Sequence, residues 1–449
     1  MRATVKVADS VARLLSTHGA SSSATLQSAL GVTQPALARA IASLDDRVMR
    51  IGAGRHARYG LRRELPRIGS SWPVCRVNAD GEPTRLGQLN ALARDQYWFN
   101  SECAEHSRLS DGLPFFLQDL VPQGFVGRSI PGRVPELGLP ESIADWSDDH
   151  VLTYLCLRGE DCIGDLILGE ESLRRFLTQS AARATPIESE MRTNEYYALA
   201  EAAMTGVTSG SLAGGEHPKF TASVRQGNSL RHVMVKFSPK GNDRVARRWA
   251  DLLVCEHVAT RALHRAGLTC TVTELVREGD RLFLEADRFD RAGVDGRTGL
   301  VSLAALANEH LGRWETWTTA TASLAKLGVV TPADAETVRR LATFGRLIAN
   351  TDMHFGNLSF RLSFEEPLTL APVYDMLPMF YAPLAGGALP NNEFEPRPPG
   401  KESIDIWNPM VALAARYWRE VAGHSAISAE FAVRAARIAD LVAATKTSR

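Results

Sequence analysis

The chain has 449 residues, more than one hydrophobic core supports, so roughly two to four domains are expected. Lys plus Arg and Asp plus Glu both number 51 and 45% of residues are hydrophobic, which excludes a globally basic nucleic-acid binder and a disordered acidic protein. No run of roughly 18 apolar residues occurs, and residues 1–30 lack the basic-then-apolar order of a signal peptide, so no membrane partner and a cytoplasmic location are expected.

Along the chain, Val7, Val11, Leu14 and Leu15 fall on one helical face before a break at Gly19 to Ser23. A second short helix is expected from Ala24 to Leu30, closed by Gly31. Thr33, Gln34 and Pro35 read as an N-cap and first turn of a third helix running to about Leu44. Val48 to Ile51 and Ala57 to Leu61 read as two strands around Gly52-Ala53-Gly54. This is the pattern of a winged helix-turn-helix over residues 1–65, with Pro66 as the boundary. From Arg50 to Arg63 there are five arginines (50, 55, 58, 62 and 63), one histidine and no acid, so positive charge is local. Gln34 and Arg39 are candidates to reach base edges of duplex DNA, and Arg50, Arg55 and Arg58 to contact phosphates.

Residues 66–188 read as a small α+β domain, with Leu152 to Leu157 and Cys162 to Leu168 as the strands of a hairpin. Residues 189–300 carry a Gly-rich loop, a β-run at Val233 to Phe237 and a long helix from Asp243 to Ala266. Residues 301–449 are mainly helical, with loops at 350–360 and 371–400. The six cysteines are scattered without a CxxC pair, which points to thiols rather than zinc or a disulfide framework.

The chemistry concentrates at Asn350-Thr351-Asp352-Met353-His354-Phe355-Gly356-Asn357 and at Tyr374-Asp375. Phosphoryl transfer needs a carboxylate to take the proton of the attacking hydroxyl, and an amide oxygen plus a second carboxylate to hold Mg²⁺ against phosphates. Asp352, Asn357 and Asp375 supply that set in the order that kinases use. Lys236, in an apolar strand, must find an anion. Glu256 on the long helix is the expected partner, with Asp251 as the competing carboxylate. The stretch Thr208 to Lys219, with Ser211, Ala213, Gly214 and Gly215, could cradle phosphates through backbone N–H groups.

Taken together, the Gly210-to-Lys219 loop, Val235-Lys236-Phe237, Arg248-Trp249-Ala250-Asp251-Leu252-Leu253 with Glu256, Arg288-Phe289-Asp290-Arg291, the Asn350-to-Asn357 loop and Tyr374-Asp375 resemble the HipA family of bacterial serine/threonine kinases, the toxins of HipBA toxin–antitoxin modules. The winged helix ahead of the kinase is most similar to the YjjJ (HipH) branch. The resemblance implies an α+β fold: a winged helix-turn-helix followed by a two-lobed kinase of phosphoinositide-kinase-like shape with a mostly helical C-lobe. It implies ATP and Mg²⁺ as cofactors. It makes Asp352 the base, Asn357 and Asp375 the metal ligands, and Lys236 the phosphate-binding lysine. By the same resemblance His354 lies beside the phosphates, Asp287, Arg288 and Phe289 form the adenine-contacting hinge, and Ser211 is the inactivating autophosphorylation site. The substrate it implies is a protein serine or threonine, with an aminoacyl-tRNA synthetase or another translation factor as a candidate; an antitoxin is a further candidate partner. Two other readings stay open at this point: a DNA-binding regulator using the kinase fold as a sensor or dimerisation body, and a DNA-modifying enzyme.

Overall fold

A computed structural model describes residues 2–179, 186–204, 217–384 and 386–447. The chain forms two compact units, residues 1–122 with 131–182, and residues 123–130 with 183–449.

In the first unit, helices Arg2–His18, Ser23–Leu30 and Gln34–Ala42 pack around Val11, Leu15, Leu26, Leu37 and Ala40. Ser22 caps the second helix by accepting from the Thr25 N–H, and Gly31 ends it in the left-handed region. The Thr33 side chain makes no capping bond, so the third helix starts on the Pro35 backbone preference alone. Strands Val48–Ile51 and Arg58–Leu61 pair antiparallel. The expected break before the second helix is itself structured, since Ser21 and Ser22 add a short third strand beside Tyr59 and Arg58.

The hairpin does not end at Leu61. Arg63 N–H donates to the Ala91 carbonyl, Ala93 N–H donates to the Leu61 carbonyl, and the Gln96 side chain accepts from the Ala20 N–H at 2.7 Å. Ile51, Leu92 and Trp98 form one buried cluster, with Ala20 and Met49 packed on it. Residues 1–65 thus share both ladder and core with the next sheet.

That sheet has five antiparallel strands in the order Arg108–Asp111, Gln96–Ser101, Pro83–Leu92, Ser71–Val77 and Leu166–Leu168. The expected hairpin over 152–168 is corrected: Leu152 to Leu157 lies in a helix, Asp148–Arg158, and only Leu166–Leu168 of the second run is a strand. Val151, Leu152, Leu155 and Cys156 are buried at helical spacing, and the Ser147 N–H donates to His150 Nδ1 at 3.1 Å in the first turn.

In the second unit a five-stranded sheet is ordered Thr273–Glu278, Arg281–Asp287, Ser229–Phe237, Lys219–Gln226, Ile187–Glu188. The helix Arg244–Arg265 is capped by Asp243, whose carboxylate accepts from the Val245 and Ala246 N–H groups. After residue 300 the unit is mostly helical, built on Pro332–Leu347, Trp407–Ala422 and Ala429–Ala444, with Trp407, Trp418, Tyr417 and Phe344 fully buried. No described helix is long and apolar enough to cross a membrane.

Candidate active site

Three elements of the second unit converge on one ammonium. The strand Ser229–Phe237 carries Lys236, whose Nζ donates to Glu256 Oε1 at 2.6 Å and Oε2 at 2.8 Å, and also to the Asp375 carboxylate. Lys236 and Glu256 are both buried. Burial alone would lower the lysine pKa, but the Asp375 and Glu256 charges outweigh it and hold the group above its ordinary value. Asp375 is held low: burial opposes its charge, and Lys236, helped by Lys219, more than compensates. Glu256, the second carboxylate on one cation, is pushed by burial up to about 7. The competing carboxylate Asp251 faces elsewhere, accepting from the Ser428 N–H and hydroxyl, both at 2.7 Å.

Asp375 has φ 55°, a left-handed conformation that costs free energy in a non-glycine residue. Its approach is fixed by pairing, as Thr271 N–H donates to the Val373 carbonyl and Val373 N–H donates to the Thr269 carbonyl. Ala349, with φ 60°, turns the chain out of the helix Pro332–Leu347 and into the 350–357 loop. There the buried Asn350 ties both loops together. Its Oδ1 accepts from the Asp352 N–H at 3.0 Å, while its Nδ2 points at the Asp375 carbonyl, 3.5 Å away. Asn350 belongs to the motif read in the sequence, but its linking role was not legible there; its burial is the signal.

Asp352 is exposed, and Asn357 donates from Nδ2 to the Asp352 carbonyl at 2.8 Å, which orients its amide oxygen away from that bond. His354 is exposed, accepts from the Gly356 N–H at Nδ1, and has its carbonyl held by Trp317 Nε1. Tyr374 hydroxyl sits 2.8 Å from Ser359 Oγ and donates to the Gly356 carbonyl at 3.0 Å, bracing the far end of the loop. Asn357 Oδ1 and the Asp375 carboxylate are hard oxygen donors, the type Mg²⁺ takes when phosphates complete its shell. Among the described residues no group of three or more His, Cys, Asp or Glu side chains converges on one point.

The expected hinge residues separate. Phe289 stacks near Tyr374, ring centroids 5.7 Å apart, and its carbonyl accepts from Arg361. Asp287 is instead bound by Arg231, and Arg288 by Asp290. Lys219 lies directly opposite Lys236 in the ladder. Ser211, Ala213, Gly214 and Gly215 lie outside the described residues.

In the first unit Gln34, Arg39, Arg50 and Arg58 are exposed, and the side chain of Arg55 lies outside the described residues. Arg62 and Arg63 do not belong with them. Arg62 reaches Asn90, and Arg63 binds both oxygens of Asp149 and the Tyr97 hydroxyl.

Residues 68–177 match the family model described as YjjJ-like toxin, middle domain, and residues 211–445 match the HipA-like C-terminal domain. Toxin YjjJ of Escherichia coli (strain K12) is 35% identical over 427 residues, covering 92% of this chain and 93% of that protein. Among solved structures, the Shewanella oneidensis MR-1 toxin–antitoxin system HipA, HipB and operator DNA complex has a chain matching at TM-score 0.49 and 15% identity, covering 83% of this chain and 96% of that one. The Helicobacter pylori proinflammatory kinase CtkA matches at TM-score 0.35 and 14% identity, covering 50% and 90%. On the two family matches and the full-length relative, the chain belongs to the HipA family, in its YjjJ-like branch.

Proposed function

We propose that this chain is a cytoplasmic ATP-dependent protein serine/threonine kinase, acting as a toxin in a toxin–antitoxin or growth-control system, with a fused winged helix that binds duplex DNA. The observation that carries the kinase reading is the buried Lys236 ammonium shared by Glu256 and Asp375, with Asp352 and Asn357 tied to the same centre through Asn350. A fixed cation beside a carboxylate of depressed pKa is a preorganised receptor for phosphates and their metal.

In this reading Asp352 takes the proton of a serine or threonine hydroxyl, whose oxygen attacks the γ-phosphorus of ATP as the bond to the ADP oxygen breaks. Asn357 and Asp375 would hold Mg²⁺, which when bound would neutralise charge on the phosphates. Lys236 steadies the α/β-phosphates, and Phe289 and Tyr374 offer an aromatic wall. Ser211 is the self-modification site: a phosphate there adds about two negative charges next to bound phosphates and repels them. Mass spectrometry of self-inactivated protein should find Ser211 modified; an unmodified Ser211 in fully inactive protein removes this part.

The DNA reading rests on exposure. Gln34 and Arg39 are solvent-facing on one helix and Arg50 and Arg58 on the hairpin beside it, with few competing protein partners. An operator and an antitoxin are the partners that follow.

The deciding measurement is incubation of the purified full-length chain with γ-labelled ATP and a cell lysate. Label should appear on serine or threonine of a lysate protein and be lost, by at least about a hundredfold, in Asp352→Ala and Asp375→Ala. Asp375→Ala should also weaken Mg-ATP binding, while Asp352→Ala largely spares it. Wild-type labelling by either variant overturns the kinase reading.

A further inference from the structure

Beside the loop that carries Asp352 lie two large aromatic rings that the phosphate chemistry does not use. Trp314 and Phe355 pack with centroids 5.6 Å apart at 48°, and both stay partly exposed. A pair that served packing alone would gain by burying the rest of its apolar surface, as Trp317, Phe344 and Trp407 of the same unit do.

The pair stands on fixed backbone. Trp317 is buried, and its Nε1 donates to the carbonyl of His354, the residue before Phe355, at 3.1 Å. Thr316 caps the helix Trp317–Lys326 by accepting from the Thr319 N–H, and Trp314 lies just ahead of that cap. Past Phe355, the strands Leu300–Ser302 and Ser359–Arg361 pair antiparallel, and the Leu303 N–H donates to the Leu358 carbonyl at 2.8 Å. Rigid aromatic surface loses little conformational entropy when it is covered, which suits it to recognition.

The place of the pair points to its occupant. Phe355 follows Asp352 by three residues, so their Cα atoms lie within about 11 Å of each other. In the proposed reaction a serine or threonine hydroxyl must reach the exposed Asp352 carboxylate, and about three acceptor residues to either side of it span the same distance. The rim carries one charge of each sign, since Arg313 and Glu315 flank Trp314 and both are exposed, so neither an acidic nor a basic flank is favoured. Burial of apolar surface is the attraction that is left.

We propose that Trp314 and Phe355 form a shelf for a large apolar side chain of the acceptor protein, within about three residues of the serine or threonine that is phosphorylated. The inference rests on the kinase reading of the site and deepens it by naming a feature of the substrate.

The test uses the full-length protein, γ-labelled ATP and a library of short peptides with a central serine or threonine, each flanking position being fixed in turn. Wild type should prefer a large apolar residue at one or two positions near the acceptor. Trp314→Ala should lose that preference and raise KM for the preferred peptide by about five- to thirtyfold, the range for one aromatic contact, with KM for Mg-ATP near that of wild type. Trp314→Phe, which keeps a ring, should restore most of the preference. Alanine in place of the preferred peptide residue should cost wild type a similar factor and cost Trp314→Ala nothing further, because the two changes remove the same contact.

A wild type that labels peptides with no preference, or prefers a charged flank, overturns the inference and leaves the kinase reading standing. So does a wild type that labels a lysate protein but no peptide. An apolar preference that survives in Trp314→Ala, or a loss of kcat or of Mg-ATP affinity there without a change of preference, reduces Trp314 to a brace for the loop. Failure of the wild type to label either peptide or lysate protein removes the kinase reading, and this inference with it.

Discussion

The Arg50-to-Arg63 stretch and the strand that carries Lys236 are both sources of positive charge, and they use it in opposite ways. Arg50 and Arg58 lie in solvent with no ion pair among the described residues, where attraction is long-range, weak per charge and screened by salt. Lys236 is buried between two carboxylates, where a charge is tolerated only when paired, and the pairing fixes its position. In the proposed function the exposed charge would serve an extended polyanion that can be met in many registers, and the buried charge one chemical event at one point.

The largest expected effect comes from breaking the buried set. Lys236→Ala leaves Glu256 and Asp375 facing each other without their shared cation and should cost about 3 kcal/mol of stability, the lower end for an uncompensated buried partner. The lower end applies because Glu256, already pushed up to about 7, can take up a proton. Chemical denaturation checks this, and the double variant Lys236→Ala, Glu256→Ala should recover part of the loss. A single variant as stable as wild type would mean that the pairing is not buried in solution.

A smaller effect is expected at Arg63, which belongs to the basic stretch in sequence but to the middle sheet in space. Arg63→Ala removes its bonds to Asp149 and Tyr97 and should cost about 1 kcal/mol, given partial exposure of both partners. The salt dependence of DNA binding should not change. A loss of DNA affinity without a loss of stability would add Arg63 to the DNA-contacting group.

The smallest effect on stability, and the one that sharpens the contrast, is at Arg50 and Arg58. Each alanine variant should melt like wild type and lower the slope of log affinity against log salt by about one, uniformly across DNA sequences. Gln34→Ala or Arg39→Ala should instead relax sequence preference. Full-length protein is the proper material for this titration, because residues 1–65 share ladder bonds and the Ile51, Leu92 and Trp98 cluster with the following sheet. No DNA binding at low ionic strength would withdraw the regulator half of the proposed function.

Local signals in the chain were sufficient where one short-range cause dominates. The long helix expected from Asp243 to Ala266 forms over Arg244–Arg265, with Asp243 as its cap. Likewise Val48–Ile51 was legible as a strand before a glycine turn, and Asp352, Asn357 and Asp375 stand out in the sequence as residue types in the order that the proposed phosphoryl transfer would use. The run Leu152 to Leu157 misled because a short apolar segment fits a strand as well as a helix, and burial of Val151, Leu152, Leu155 and Cys156 against the middle sheet decides for helix.

Only tertiary packing chose between Glu256 and Asp251 for Lys236. Five residues on a helix amount to about 500° of rotation, so the two carboxylates point to different sides, and which side meets the sheet depends on how the whole helix lies. The same holds for Arg62 and Arg63, which a charge count groups with their neighbours and the Leu92 ladder takes away. Composition and spacing determine which groups are available. Burial, which sets whether a charge must be paired and by which partner, is a property of the assembled fold.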